Sequence, residues 1–407
     1  MSKIAVVDLL FNWPPDGGAR TDIKEISSRL ARTHELRMFV PDLPFHFPRG
    51  RVLGEPGFPV VTIPFSPLSF NFLQAARRFS HAIASFCPDH VFIADGWFLK
   101  PYIVNALKKF RPIVRFYAYE CLCFNLHGTF LRGGKQCDVR WLRAGIPSQL
   151  GCAWCGLSAM CKKKYFHFIQ EFFAALAFSP TYKMVVRRAL GSAGTIIVYN
   201  SFAREVIGDL AGDVRVIPSG VDQSYFLYQP PPRRDIKKIL MVGRVADETK
   251  GLSLLRQVCG ELWRERKDFR LIVTTEWERR YEEPFIETRT WMPQEKLPSL
   301  YAEADLCVFP SLWQEPQGIA PLEAMSCGRP VVVTRVGGLQ CLVEDGVQGF
   351  VVPPGDANAL KQAVSRLLDD RALRERMGRA ARERVEERYG WDTIFDRYYA
   401  HLFNGVR

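Results

Sequence analysis

The sequence predicts an α/β protein of two doubly wound, Rossmann-like domains, and three observations carry that prediction. The chain opens with an apolar run over residues 3–10, a turn at Pro14-Pro15-Asp16-Gly17-Gly18, and a helical apolar period at Ile23, Ile26 and Leu30. The same strand, glycine turn and helix order restarts at Lys238-Ile-Leu-Met-Val-Gly243-Arg244. Between the two halves lies a stiff connector, Pro230-Pro231-Pro232-Arg233-Arg234. A chain of 407 residues has room for two domains of roughly 200 residues each.

In the first half, strands are expected at 3–10, 90–94, 113–118 and 194–199, with the first helix over 19–33. In the second half they are expected at 238–243, 269–274, 305–310 and 330–334. Each is a short apolar run, the pattern of a parallel strand covered on both faces. The segment 389–403 is amphipathic and aromatic-rich, and reads as a terminal helix. The expected division is a first domain over 1–225, with a cysteine-rich insert at 121–161, and a second over 226–388.

Composition narrows the function classes. The chain is 47% hydrophobic and 24% charged, ordinary for a globular protein and unlike a disordered one. No apolar run reaches the roughly 18 residues of a membrane span. The first residues read as a strand and not as a secretory leader, so a cytoplasmic location is expected. The net charge of +12 fits nucleic acid, phosphate-bearing substrates or an anionic membrane surface.

The densest chemistry lies in Glu315-Pro-Gln-Gly-Ile-Ala-Pro-Leu-Glu323. Gly318 marks a turn, and Pro321 is suited to the first turn of a following helix. Glu323 is then expected in that first turn, beside free backbone N–H groups that suit a diphosphate. If the segment were helical throughout, the two carboxylates would stand roughly 12 Å apart, so each would grip a different part of an extended ligand.

This E-x7-E segment resembles the signature of retaining GT-B glycosyltransferases, especially glycosyltransferase family 4. Further matches support the resemblance: Val216-Ile-Pro-Ser-Gly-Val-Asp222, Gly243-Arg244 followed by Lys250-Gly251, Leu306-Cys-Val-Phe-Pro-Ser311, and the glycines 337, 338, 346, 349 and 355. The matches are dense over 196–385 and sparse before it. The resemblance implies a GT-B fold, with its two domains facing across a cleft and the terminal helix, 389–407, packing back onto the first domain. It also implies transfer of a sugar from a nucleotide-sugar donor, a UDP- or GDP-sugar, to a carbohydrate or lipid-linked acceptor, as in surface polysaccharide, lipopolysaccharide or glycoconjugate assembly. Donor-binding residues would be Gly17, Gly18, Gly243, Arg244, Lys250, Gln317, Gly318, Ile319 and Glu323, with Gly17 and Gly18 in a loop that faces the donor phosphate and the acceptor across the cleft. Glu315 would lie near the transferred sugar, and no cofactor would be needed for catalysis.

The chemistry asks for these residue types. Negative charge develops on the bridging phosphate oxygen as the nucleoside diphosphate leaves. Arg244 offers a planar donor fork and Lys250 a mobile point charge for it. Two departures stand out. Gln340-Cys341 replaces the usual Pro-Glu of the late glycine loop, and the histidine common after the middle N-terminal strand is absent. Glu120 or His127 would take that histidine's place. A plain structural turn remains an equal reading for Gly17-Gly18.

Six of the eleven cysteines fall in the insert: Cys121, Cys123, Cys137, Cys152, Cys155 and Cys161. Cys152-Ala-Trp-Cys155 has the spacing with which two thiolates grip one tetrahedral metal. Together with Cys123 and Cys137 it would make a structural zinc site; an iron–sulfur cluster and free thiols are the other readings. Lys162-Lys163-Lys164 and the Phe-rich stretch running to Arg187-Arg188 read as a basic aromatic helix, either at an anionic membrane surface or as an ordinary core helix. The alternatives to a transferase are a GT-B sugar phosphorylase and a basic nucleic-acid-binding protein with a zinc module. No recognition motif for nucleic acid occurs, so no such partner is expected.

Overall fold

The computed structural model describes all residues except 16, 44–48, 127, 276–279 and 404–407. The chain forms two compact units, Met1–Pro218 with Phe395–Arg407, and Ser219–Ile394. Each is a parallel sheet with helices packed on it.

In the first unit the sheet has seven strands. Their spatial order is Val60–Pro64, Glu35–Asp42, Lys3–Val7, His90–Ile93, Ile113–Arg115, Thr195–Val198 and Val214–Val216. The chain starts at the central strand Lys3–Val7, works outward on one side, and then crosses over to His90–Ile93. In the second unit the six-stranded order is Ile286–Thr290, Phe269–Thr275, Lys237–Met241, Leu306–Phe309, Val331–Thr334 and Gly349–Val352. Both sheets therefore reverse direction beside their first strand. That reversal opens a crevice at the carboxyl ends of the strands, where doubly wound sheets hold ligands.

The strands read from sequence are the central ones, because both their faces are buried. Ile4 to Val7 and Ile239 to Met241 are all buried. The outer strands Glu35–Asp42 and Ile286–Thr290 carry polar or charged residues and do not read as apolar runs. Glu35–Asp42 places exposed Arg37 among its apolar residues, and Ile286–Thr290 is Ile-Glu-Thr-Arg-Thr, largely half-buried. The first strand is shorter than expected because Asp8 turns the chain: its Oδ1 accepts the N–H of Leu10 at 2.8 Å. The first helix, Gly18–Leu30, buries Ile23, Ile26 and Leu30.

The unit boundaries fall at 218/219 and 394/395, not at 225/226 and 388/389. The reason is packing around the connector. Phe226 is fully buried against Tyr301, and its carbonyl accepts the Ser326 hydroxyl at 2.7 Å. Val221 donates its N–H to Tyr389 at 2.8 Å. The proline run therefore lies within the second unit. The expected terminal helix is a short helix, Trp391–Ile394, followed by one wide helical turn, Phe395–Tyr399. Beyond the crossing point, Tyr399 and Phe403 pack edge-to-face on Phe92 of the first sheet, with ring centroids 6.5 and 6.0 Å away.

The basic aromatic stretch is not one helix. Ile146–Lys162 ends at the lysine run, and Phe166–Ala174 and Pro180–Ser192 follow as separate helices. Among the described residues no helix is long and apolar enough to cross a membrane.

Candidate functional site

In the second unit, the loops after three neighbouring strands converge. After Lys237–Met241 the chain turns at Gly243, whose φ of 126° lies in the region that favours glycine. Its N–H donates to Thr274 Oγ1 at 3.0 Å, and the same hydroxyl donates to the Gly243 carbonyl at 3.1 Å. That pair anchors the turn to the next strand and leaves Arg244 exposed. Three residues later Asp247 caps a short turn, its Oδ1 accepting from the Thr249 N–H at 3.1 Å. Gly251 closes the turn at a φ of 82°, and a Cβ there would stand 2.0 Å from the Pro310 carbonyl oxygen. Only glycine allows this approach, which sets Lys250 against the end of strand Leu306–Phe309.

Lys250 meets the expected Glu315. One oxygen of that carboxylate, Oε1, accepts from Lys250 Nζ at 2.5 Å, Ser311 Oγ at 2.7 Å and Trp313 Nε1 at 2.8 Å. The Lys250 ammonium also lies 5.1 Å from the centre of the Trp313 ring. Gly337 and Gly338 press on the same turn. Gly338 donates its N–H to the Glu315 carbonyl at 2.7 Å, and Gly337 donates to Gln314 Oε1 at 2.6 Å.

The helix after Gly318 runs Ile319–Ser326. It starts two residues before Pro321, so Glu323 begins the second turn and does not sit in the first as expected. Helix geometry leaves the Ile319 and Ala320 N–H groups without intrahelical acceptors. Glu323 is buried and accepts the Tyr301 hydroxyl at 2.8 Å. Burial pushes its carboxyl up to about 7, against the lowering effect of hydrogen bonds from Tyr301 and Gln294. Gln317 is buried as well, and its Nε2 has no partner among the described residues.

The remaining expected residues belong to the first unit. Gly17 and Gly18 stand at the start of helix Gly18–Leu30. Glu120 is fully buried and accepts the N–H groups of Tyr117 at 2.9 Å and Ala118 at 3.2 Å, with Lys100 Nζ 3.7 Å away. Those contacts fix a turn after strand Ile113–Arg115 and leave the carboxylate out of reach of solvent. His127 lies outside the described residues.

The sequence reading passed over four residues that shape these surfaces. Trp313 and Tyr301 hold the two carboxylates; their signal was an indole two residues before Glu315 and a lone tyrosine in an apolar helix. Asp8 and Asp95 follow the two strands that flank the first sheet's reversal. Burial, and after it the charge of Asp95, push Asp8 up to about 7. An acidic residue closing each apolar run, Val-Val-Asp8 and Ile-Ala-Asp95, was the readable sign.

Comparison with known proteins bears on the second unit most directly. Residues 236–370 match the family model described as Glycosyl transferases group 1, and this segment carries that domain. An alpha-D-kanosaminyltransferase of Streptomyces kanamyceticus is 35% identical over 168 residues, 39% of this chain and 43% of that protein. The chain spans about half the length, or less, of the curated relatives it matches. Among solved structures, sucrose-phosphate synthase from Thermosynechococcus elongatus superposes with a TM-score of 0.72 at 20% identity, over 99% of both chains. Anabaena HepE in complex with UDP-glucose gives 0.66 at 16% identity, again over 99% of both. The fold is thus the GT-B fold of glycosyltransferases.

Proposed function

We propose that the protein is a retaining glycosyltransferase that moves a sugar from a nucleotide-diphosphate donor to a carbohydrate or lipid-linked acceptor. The convergence of Lys250 on Glu315, in the segment matching the glycosyl transferases group 1 model, carries this reading. Lys250 and Arg244 would take the donor diphosphate. A bound diphosphate draws Lys250 from Glu315 and frees the carboxylate to accept hydroxyls of the transferred sugar, while Ser311 and Trp313 keep it oriented. Glu323 would accept the ribose hydroxyls, and the Gly318 and Ile319 N–H groups would face the phosphates. In the transfer step the acceptor oxygen bonds to the anomeric carbon as the bond to the diphosphate oxygen breaks. The acceptor proton passes to the leaving phosphate on the same face. Lys250 and Arg244 stabilise the charge that develops there.

An acceptor carried on a membrane surface, at its inner face, suits the first unit. Ile146, Leu150 and Trp154 repeat every four residues along helix Ile146–Lys162, so they share one face, and all three are exposed. The exposed Lys162, Lys163 and Lys164 follow at the end of that helix. Apolar side chains rimmed by cations are the composition of an interfacial surface.

The test is donor turnover. With UDP- and GDP-sugars supplied in turn, the protein is expected to release nucleoside diphosphate from at least one, faster when acceptor lipid or glycan is added. Release of sugar phosphate that requires inorganic phosphate and no nucleotide would favour a phosphorylase. No turnover of any donor would overturn the proposal.

A further inference from the structure

The insert cysteines divide sharply in the structure. Cys121 is buried in the core, donating to the Trp97 carbonyl at 3.2 Å. Cys161 is exposed near the end of helix Ile146–Lys162. The other four, Cys123, Cys137, Cys152 and Cys155, line a single small cavity. They reach it from three separate pieces of chain: the loop after Tyr119, the residue that follows the hairpin Leu131–Arg132/Lys135–Gln136, and the helix Ile146–Lys162. We propose that this cavity is a structural site for one zinc ion, held by the thiolates of Cys123, Cys137, Cys152 and Cys155.

Three features point to a metal over free thiols. Cys152 and Cys155 are three residues apart on one helix, so both side chains face the cavity together. The Phe130 N–H points at Cys123 Sγ from 3.5 Å, and the Cys137 N–H donates to the Phe130 carbonyl at 2.7 Å, so the hairpin stem ties two of the thiols to one backbone segment. Arg132, which also lines the cavity, acts with its charge on Cys152 and Cys155 and would offset part of the negative charge of a four-thiolate site. Among the described residues, the stretch between Arg115 and Ile146 contains only one pair of two-residue strands as sheet. A cross-link at the cavity would fix that stretch against the helix.

As placed, among the described residues, no three His, Cys, Asp or Glu side chains are grouped as a bound ion requires. Closing the set takes rotation of the thiols, each of which turns about a single torsion with three staggered wells. On binding, each thiol gives its proton to solvent and its sulfur lone pair to the ion, so binding strengthens as pH rises.

Elemental analysis of the full chain, purified under reducing conditions without a histidine tag, tests the site. About one zinc per chain is expected, and Cys155→Ser should lose most of it while Cys161→Ser and Cys87→Ser retain it. Cobalt exchanged into the wild-type protein should show the intense visible bands of tetrahedral thiolate coordination, which keeps the test open if Cys155→Ser does not fold. Zinc far below one per chain, with all four thiols titrating freely in the native protein, would overturn the proposal. So would an intact mass showing Cys152 or Cys155 in a disulfide, or zinc undiminished in a folded Cys155→Ser protein.

Discussion

Lys250→Ala is expected to lower donor turnover roughly ten- to a hundredfold or more and to leave the chain folded. A hydrogen bond to a charged group contributes about 1.5–3 kcal/mol, and each 1.36 kcal/mol or so is tenfold in rate. Lys250 is an unusual cation because it is already engaged, at 2.5 Å from Glu315. The substitution therefore removes the contact to Glu315 as well as the one proposed to the donor. Glu315 keeps the Ser311 hydroxyl and the Trp313 indole N–H, so the turn should hold. Arg244→Ala, at an exposed position, should lower turnover by a similar factor with unchanged stability. Steady-state donor kinetics beside thermal unfolding would decide. Normal turnover in both variants would remove the diphosphate assignment.

The largest expected effect on stability lies in the first unit. Arg49 and Glu171 form an ion pair at 2.6 Å with both side chains about 1% exposed. The second Glu171 oxygen accepts the Leu99 N–H at 3.1 Å. Glu171→Ala would leave a buried guanidinium whose Nε and Nη1 have no hydrogen-bond partner among the described residues, with the Phe70 ring 4.9 Å away. Breaking a buried pair by deleting one partner costs about 3–5 kcal/mol. Urea denaturation should show that loss, with Glu171→Gln milder because the amide oxygen still accepts. A loss under about 1 kcal/mol in the alanine variant would show that water reaches Arg49 and relieves it.

Much of this architecture was legible in the chain because its central strands are buried on both faces. Val-rich runs such as Val331 to Val333 can hardly be anything else. The edge strands were not legible, since a half-covered strand such as Ile286–Thr290 carries the polar residues of a loop. The connector misled for a related reason. Prolines 230–232 mark stiffness, but where one unit ends is decided by what Phe226 and Val221 pack against, and those partners are 75 and 168 residues further along the chain, at Tyr301 and Tyr389. In the site, the pairing of Lys250 with Glu315 bridges 65 residues. Their spacing does not encode it; the glycine approach at Gly251 does. Glu120 shows the opposite failure. A carboxylate after a central strand looked available for chemistry, yet its oxygens close its own turn.

The proposed binding of a nucleotide sugar by the second unit, through Arg244, Lys250 and Glu323, is measured most directly at Glu323. Burial pushes its carboxyl from 4.5 up to about 7. The ionised form is therefore disfavoured in the fold, and this group costs stability as pH rises between those two values. Hydroxyl donors of a bound ribose recover part of that loss, because they bond more strongly to a carboxylate than to a neutral carboxyl. Donor affinity should then rise with pH through the neutral range. Calorimetric titration of UDP- and GDP-sugars, about one pH unit either side of 7, is the measurement. The expected result is saturable binding of at least one donor, tighter on the alkaline side, with the pH dependence lost in Glu323→Gln. No binding of any nucleotide sugar, or binding indifferent to both pH and Glu323→Gln, would contradict it.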